Sequence, residues 1–379
     1  MRLPAVGIVG VGAAGFRRAV PELSTRELMF QAASRAYEDA RIDPRKDVGS
    51  FVTTSEDLWE GWSITDEMVP DQIGGAGRPV CTIPGDAITG LGNAVMQVAS
   101  GAAQVVVLEA HSKAADVVDV EAVESLAQEP SLVRPLGMSS DTLAALEMGL
   151  FFTKSGLGIA DCDSVIRRSR RTGAKNPRAS FEPGIVRGDA GPTELVSSPL
   201  RGVDKAPHAD AAVVIVLASS DWARKKKKEI VRIDGVAWNS SLPWFDGGDV
   251  TAVGYARDSF VRAAKQAGLR RGLDSLDLLE VDDTYSFKLL QHLFSLAMDR
   301  RQALEVLRGG GPVVNPSGGS LAVGNLIEAS ASHRILEAVL QLRGEAARMQ
   351  VKGAKRALVQ SWRGVPTATG GVAILSVGA

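Results

Sequence analysis

Cysteine is nearly absent from this sequence, which contains only Cys81 and Cys162 among its 379 residues. Two cysteines so far apart can form neither a disulfide framework nor a zinc ribbon. We therefore expect no metal site. The scarcity is also typical of a reducing compartment, for which the cytoplasm is the default prediction.

An excess of charge of either sign is also missing. The 43 basic residues nearly balance the 44 acidic ones, so the overall charge does not predict binding to nucleic acid or to an anionic membrane surface. No apolar run approaches the ~20 residues that span a bilayer, and the first residues lack the long apolar core of a signal peptide. We expect a soluble protein with neither nucleic acid nor membrane as a partner.

Apolar residues are abundant: they make up 45% of the chain, enough for a large buried core. Short β-branched runs alternate with amphipathic helical patterns, which is the rhythm of a parallel sheet with helices. The second half repeats the pattern of the first. These observations predict an α/β fold with two similar halves, residues 1–228 and 229–379. An irregular, proline-containing stretch at about residues 113–185 is interpreted as an insertion over the first sheet.

The predicted elements are bounded by glycine, proline and capping residues. Strands are predicted at residues 5–11, 50–54, 104–110, 211–218, 230–236, 276–281, 357–360 and 371–377. Helices are predicted at residues 24–40, 87–100, 164–172, 252–267, 287–296 and 326–342. Ser24 and Glu27 have the spacing of a capping box at the start of the first helix.

Gly10, Gly12 and Gly15 have the G-x-G-x-x-G spacing of a dinucleotide-binding loop. In such a loop the helix begins at the last glycine, and its N-terminus holds the pyrophosphate. Here the helix is predicted to begin only near Ser24, and no acidic residue ends a second strand at the expected distance. A glycine-rich turn without a nucleotide is the favoured interpretation.

Two segments of the second half carry a resemblance to a known family. The segment V-N-P-S-G-G-S-L-A-V-G-N at residues 314–325 resembles the thiolase signature loop N-P-S-G-G-x-x-x-x-G-H. The segment E-V-D-D-T-Y-S at residues 280–286 resembles the E-x-H-D-A-F segment of sterol-carrier-protein-type thiolases. The resemblance implies the thiolase fold, with duplicated βαβαβαββ halves in a layered αβαβα sandwich. It also implies coenzyme A thioesters as substrates, with no bound cofactor.

The residues that perform thiolase chemistry are replaced in this chain. Thiolases use a cysteine thiolate at a helix N-terminus, and counting back from Gly101 at the family's spacing places Pro84 there. Asp282 stands where the family has a histidine before its aspartate, and Asn325 replaces the histidine of the G-H step. Cys81, shortly before Pro84, is the alternative nucleophile.

Several side chains are candidates for the remaining chemistry. Asp282, Asp283 and Tyr285 follow a buried strand and are candidate acids or bases. Asn325 is a candidate oxyanion donor that polarises a thioester carbonyl without transferring a proton. The candidate substrate-binding residues are Gly85, Asp86, Ser317, Gly318, Gly319 and His111.

Two of these candidates also have structural interpretations. Asp86 is more readily explained as the cap of the helix that follows it. His111, which follows a buried strand, is more readily explained as a structural or interface residue.

The C-terminal turn also departs from the thiolase pattern. Residues 360–367 read Q-S-W-R-G-V-P-T, and the turn G-V-P-T-A-T-G at residues 364–370 resembles that of the steroid side-chain aldolases. Those relatives lack the cysteine and use tyrosines to cleave a β-hydroxyacyl-CoA. Asp282 and Asn325 stand at the positions of those tyrosines, and Tyr285 is displaced from them.

Three functions remain open, and with them the question of whether the chain is an enzyme. The first is an acyl-CoA C-acyltransferase, similar to acetyl-CoA acetyltransferase, that acts through Cys81 or a partner's cysteine. The second is a cysteine-free retro-aldolase that uses Asp282 or Tyr285. The third is a catalytically silent subunit, assembled with a second thiolase-like chain and a small zinc-ribbon/OB-fold protein. Because thiolases pair their sheets across a twofold axis, the resemblance also implies a homodimer or tetramer with residues 104–111 near the interface.

Overall fold

The computed structural model describes residues 5–56, 65, 71–180, 194–241, 249–297, 299–364 and 368–378. The strands in these ranges are β1 (Val6–Arg17), β2 (Ser50–Thr54), β3 (Val80–Ile83), β4 (Val105–Ser112), β5 (Leu195–Ser197), β6 (Leu200–Arg201), β7 (Asp210–Ser219), β8 (Val231–Ser240), β9 (Leu278–Glu280), β10 (Val313–Val314), β11 (Arg356–Trp362) and β12 (Thr369–Ser376). The helices are α1 (Thr25–Ala40), α2 (Pro44–Asp47), α3 (Ala87–Ser100), α4 (Val120–Ser125), α5 (Ser140–Ser155), α6 (Ile159–Gly173), α7 (Ser220–Lys225), α8 (Gly254–Gln266), α9 (Ser286–Ala297), α10 (Arg300–Leu307), α11 (Ser320–Val323) and α12 (Ser330–Arg343).

The main sheet has the strand order β10-β9-β11-β12-β8-β1-β7-β4-β2-β3, and β5 pairs separately with β6. In each half of this sheet the strands follow the same sequence, namely the third, second, fourth, fifth and first of that half. The halves meet at β1 and β8, where Gly7 pairs with Arg232 and Ile8 with Val231. The repetition confirms the predicted α/β fold with duplicated halves.

The helices form three layers around the two halves of the sheet. α3 and α12 lie between the halves, where residues such as Leu91 and Ile335 share one core with inward-facing strand residues of both halves. α1 packs on the outer face of the first half, and α8 and α9 pack on the outer face of the second. Each sheet face and helix stripe is thus buried against another element, and the layering is the predicted αβαβα order.

The glycines of the apparent dinucleotide motif serve close packing. Gly10, Gly12 and Gly15 lie inside β1, and the next helix begins only at Thr25, so no helix N-terminus stands at the motif. A Cβ on Gly12 would lie 2.2 Å from the backbone nitrogen of Ala36 in α1. The structure therefore agrees that these glycines form no nucleotide site, and it shows why side chains are excluded there.

Two short strands of the main sheet were missing from the sequence prediction, and the expected position of a third strand near a dimer interface stays a prediction. β3 and β10 are edge strands that each pair with a single neighbour in the main sheet. The strand expected near a dimer interface, residues 104–111, corresponds to β4, which lies between β2 and β7 and is buried throughout. The edge available to a second chain in this half is β3. The divisions at residues 113–185 and 228/229 stay predictions.

No single helix in the described ranges is long and apolar enough to cross a bilayer. α5 and α6 pass that test only as a pair, bent by 112° at the break between them.

Candidate active site

The candidate site is centred on the end of β9. Leu278 and Leu279 are fully buried, and β9 runs parallel to its neighbours β10 and β11. The chain then leaves the sheet at Asp282, whose backbone N–H donates to Gln360 Oε1 of β11 at 2.9 Å. Because the carboxyl ends of parallel strands meet at one edge of a sheet, polar side chains from several elements converge here.

Asp282 is held in a buried ion pair. Arg334 of α12 places Nη2 2.7 Å from Asp282 Oδ2, and the two side chains are only 1% and 0% exposed. The backbone N–H of Thr284 donates to Asp282 Oδ1 at 3.0 Å. Both carboxylate oxygens are therefore occupied, and Asp282 is not placed as a free acid or base.

Arg334 also connects the ion pair to the glycine-rich loop. Its Nη2 donates to Ser320 Oγ at 2.6 Å, whereas its Nε and Nη1 have no hydrogen-bond partner among the described residues. The sequence prediction missed Arg334. A charged residue at this position of a predicted apolar helix face, between Ala331 and Ala338, was the signal that could have identified it.

Side-chain hydrogen bonds join the signature loop to the end of β9. Asn315, with φ of +42°, accepts from the Val281 N–H at 2.7 Å and donates to its carbonyl at 2.9 Å. Ser317 donates through Oγ to Glu280 Oε2 at 2.7 Å. These contacts give the loop a structural function, and they engage the hydroxyl of Ser317, a predicted substrate-binding residue.

The two glycines of the loop allow close approach. Gly318 and Gly319 have φ of +96° and +66°, and a Cβ on Gly319 would lie 2.1 Å from Asp283 Oδ2. A Cβ on Gly318 would lie 2.6 Å from the Cα of Gly173 in α6. Glycine is therefore required at both positions by packing as well as by backbone conformation.

Two acids of this region are strongly perturbed. Burial raises the pKa of Asp283 to about 7, against the opposing effect of Arg334. Burial, followed by the nearby Glu337, raises the pKa of Glu280 to about 8. The Ser320 N–H donates to Asp283 Oδ1 at 2.5 Å, and Asp283 Oδ2 has no hydrogen-bond partner among the described residues. Asp283 is thus the acid at this strand end that retains proton-accepting capacity near neutral pH.

The nucleophile position, Pro84, is followed closely by a helix cap. Asp86 precedes α3 and accepts from the Ile88 and Thr89 N–H groups at 2.8 and 3.2 Å. Its other oxygen accepts from Ser361 Oγ at 2.7 Å. Burial raises the pKa of Asp86. Gly85, with φ of +152°, joins Pro84 to this cap. The structure places Asp86 as a cap, as the sequence favoured.

Tyr285 is hydrogen-bonded to α5. Its hydroxyl donates to Asp141 Oδ1 of α5 at 2.9 Å, and Lys205 Nζ lies 2.8 Å from Asp141 Oδ2. Burial and the Asp141 charge raise the pKa of Tyr285 well above its ordinary value. Tyr285 is therefore a hydrogen-bond donor rather than a base at neutral pH.

Asn325 lies beside a segment that leads into β7. Its N–H donates to the Pro207 carbonyl at 2.8 Å, and its own carbonyl accepts from the Ala209 N–H at 3.1 Å. Its side-chain oxygen accepts from the Ile327 N–H at 3.1 Å. These bonds hold Asn325 in place, and its function as an oxyanion donor stays a prediction.

Two predicted site residues are not brought to this cluster. Cys81 lies within edge strand β3, paired with Val52, and not at the N-terminus of α3. His111 lies on the face of β4 that Val105 and Val107 direct toward α1, and its Nδ1 lies 2.9 Å from Glu109 Oε1. Side chains alternate between faces along a strand, so His111 faces away from the helix layer between the two halves.

A buried hydrogen-bond chain behind the site also escaped the sequence prediction. His292 Nδ1 donates to the Asp282 carbonyl at 3.0 Å, so its Nε2 accepts from the Tyr255 hydroxyl at 2.8 Å. Lys288, 1% exposed, pairs with Glu147 of α5 at 2.7 Å. The hydrophobic periodicity of α9 could not predict these buried polar contacts, because all residues of α9 are buried.

No three His, Cys, Asp or Glu side chains within the described ranges are arranged to hold a metal ion. Residues 365–367 of the predicted turn at residues 364–370 lie outside those ranges.

Comparison with known proteins agrees with this fold and site. The family model described as "Thiolase C-terminal domain-like" matches residues 245–377. An acetyl-CoA acetyltransferase of Methanothermobacter thermautotrophicus is 26% identical over 384 residues, covering 98% of each chain. Human sterol carrier protein 2 is 27% identical over 244 residues, covering 60% of this chain and 44% of that protein. A solved structure described as "Ltp2-ChsH2(DUF35) aldolase" superposes with a TM-score of 0.83 at 22% identity, covering 99% and 98% of the two chains.

The duplicated sheet, the signature loop and these relatives define the class of protein. The family model, the relatives and the structural neighbours together support a thiolase-superfamily protein of the sterol-carrier-protein type. Its function is therefore thiolase-like and related to acyl-CoA.

Proposed function

We propose that this protein binds an acyl-CoA thioester as a thiolase-like subunit and does not form an acyl-cysteine intermediate. The observation that carries the proposal is the buried ion pair between Asp282 and Arg334. It stands where thiolases have a histidine, and it leaves Asp282 without a free oxygen. Pro84 at the nucleophile position and Asn325 at the second histidine support the same conclusion, because neither can attack a thioester or transfer a proton.

The remaining parts of the site suit binding better than covalent catalysis. The glycine-rich loop keeps its backbone close to the end of β9, and Asn325 offers a polar side chain for a thioester carbonyl. Tyr285 donates its hydroxyl hydrogen to a carboxylate. The arrangement supports a subunit whose chemistry is completed by a second thiolase-like chain. The zinc-ribbon/OB-fold partner, the homodimer or tetramer and the cytoplasmic location belong to the same proposal.

A cysteine-free lyase is the second candidate. The fold is similar to that of a structure described as an Ltp2-ChsH2(DUF35) aldolase, and Asp283, whose pKa is raised to about 7, is the candidate base for a β-hydroxyl group. Retro-aldol cleavage needs deprotonation of that hydroxyl and stabilisation of an enolate, but no covalent nucleophile. Asp283 is fully buried in the present arrangement, so it is not open to a substrate. This favours the thiolase-like subunit over the lyase.

The test combines binding with turnover. Isothermal titration calorimetry with acetoacetyl-CoA is expected to show binding by the isolated chain, while thiolytic cleavage stays at background. The matched control is the Cys81→Ala/Cys162→Ala variant, which should bind equally. Cleavage by the wild type that disappears in this variant would overturn the proposal. Cleavage of a β-hydroxyacyl-CoA by both would establish the lyase instead.

A further inference from the structure

A cavity of about 370 Å³ lies where β1 ends and β7 begins. It is lined by one residue that directly follows β1 and four from the segment that leads into β7, namely Arg18, Gly202, Lys205, Pro207 and His208. Its size is in the range of small-ligand sites. Nothing in the proposed function uses it.

The cavity shares its backbone with the candidate active site. Lys205 forms a bridge with Tyr285, and His208 forms one with Asn325. The Ala206 N–H also donates to the Thr284 carbonyl at 2.8 Å. The segment that lines the cavity therefore runs directly beside the two positions where a thioester would be held.

The lining is chemically suited to one negative charge. Lys205 is paired with Asp141 at 2.8 Å, and Glu124 also lies near Lys205. Arg18 is exposed and has no ion-pair or hydrogen-bond partner among the described residues. The positive charge that the lining offers without a counter-ion is therefore that of Arg18.

His208 adds an unsatisfied group. Its Nδ1 is buried and has no hydrogen-bond partner in the part of the chain that the structure describes. Burial, followed by the charge of Lys205, lowers the pKa of His208 to about 4. The imidazole is therefore neutral at pH 7 and presents one N–H donor and one acceptor. Because Nδ1 is closed off from the cavity, a ligand reaches the ring through Nε2, which is not buried and has no hydrogen-bond partner among the described residues.

We infer that this cavity binds a carboxylate at the far end of the acyl group, so that the substrates are coenzyme A thioesters of dicarboxylic acids. The inference rests on the proposed function, because it places the thioester beside Asn325 and Tyr285. The phosphates of coenzyme A are separated from its sulfur by the whole pantetheine arm, so an anion this close to the thioester position belongs to the acyl group. Arg18 supplies the unpaired charge and His208 the hydrogen bond.

The experiment compares succinyl-CoA with butyryl-CoA, which differ by a carboxylate in place of a methyl group of similar size. Isothermal titration calorimetry should show succinyl-CoA binding roughly tenfold tighter, the effect of about one charge-assisted hydrogen bond. Arg18→Gln should abolish this preference without changing the affinity for butyryl-CoA. The matched control is Arg17→Gln, which removes the neighbouring arginine, whose partner is Glu22.

Each other outcome has a distinct meaning. Equal affinity for the two thioesters would overturn the inference and leave the proposed function intact. An equal loss of both affinities in Arg18→Gln would assign the cavity to coenzyme A itself, which also overturns the inference.

If neither thioester binds, the proposed function fails and free succinate decides the inference. The chain has four histidines, and the imidazole resonance of His208 can be assigned with His208→Asn. A shift of that resonance by succinate, absent in Arg18→Gln, would support the carboxylate site. The absence of any shift would refute it.

Discussion

Replacing Arg334 by methionine removes one partner of the ion pair that occupies the candidate site. Asp282 then remains fully buried without its counter-charge, and only the hydrogen bonds that Thr284 donates to its carboxylate stay in place. Breaking one side of a buried ion pair costs about 3–5 kcal/mol, because the remaining charge is neither solvated nor paired. Ser320 also loses the donor to its hydroxyl oxygen.

The expected change in melting temperature follows from the size of the protein. An unfolding entropy of about 2.1 cal/mol/K per residue gives about 0.8 kcal/mol/K for 379 residues. The Arg334→Met variant should therefore melt roughly 4–6 °C below the wild type in differential scanning calorimetry at neutral pH. Arg343→Met is the matched control, because its partner Asp39 is 36% exposed and such pairs contribute about 0–1 kcal/mol.

The double variant Asp282→Asn/Arg334→Met separates charge from packing. It removes both charges, so it should melt above Arg334→Met alone if the cost lies in the unpaired carboxylate. The reasoning is refuted if Arg334→Met and Arg343→Met lower the melting temperature equally, or if the double variant melts no higher than the single one.

Three further predictions concern packing, capping and pH. Gly12→Ala should destabilise the protein strongly because its Cβ would meet the backbone of α1 at 2.2 Å, whereas Gly202→Ala, with nothing within 4 Å, should be nearly neutral in the same thermal assay. Asp86→Ala should cost about 1 kcal/mol as a lost cap, and a change in melting temperature no larger than that of Gly202→Ala would contradict this. The pKa values of Glu280 and Asp283 are raised to about 8 and 7, so the folded state binds more protons than the unfolded chain between about pH 4 and these values. The free energy of unfolding should therefore fall as the pH rises through that window. Denaturant titrations should show a smaller fall for Glu280→Gln, and the same pH dependence as the wild type would contradict the assignment.

Local patterns were sufficient to predict most of the long elements of the fold, but not α5 (Ser140–Ser155), which lies in the stretch that was interpreted as an irregular insertion. The helix predicted at residues 87–100 is α3 (Ala87–Ser100), and the capping box at Ser24 and Glu27 is present. β3 and β10 were missed because runs of four and two residues at a sheet edge carry too little periodicity to be distinguished from a loop. Their strand character comes from pairing with a neighbour that is distant in sequence.

The site was predictable only in part, for a different reason. The end of β9 and the signature loop were located by their motifs, because those residues are close in sequence to the features that mark them. The sequence did not indicate which charged side chains form ion pairs with one another. Arg334 lies far from Asp282 along the chain and meets it only because α12 packs beside β9. His208 was overlooked because nothing in its neighbourhood forms a motif.

The central claim is that this chain holds an acyl-CoA without forming an acyl-enzyme. Intact-mass spectrometry after incubation with acetyl-CoA and acetoacetyl-CoA, followed by peptide mapping, tests it most directly. The account predicts an unchanged mass, because Pro84 occupies the nucleophile position and Cys162 is buried with a pKa raised to about 12. An acyl group on Cys81 would contradict the account and restore a covalent thiolase mechanism.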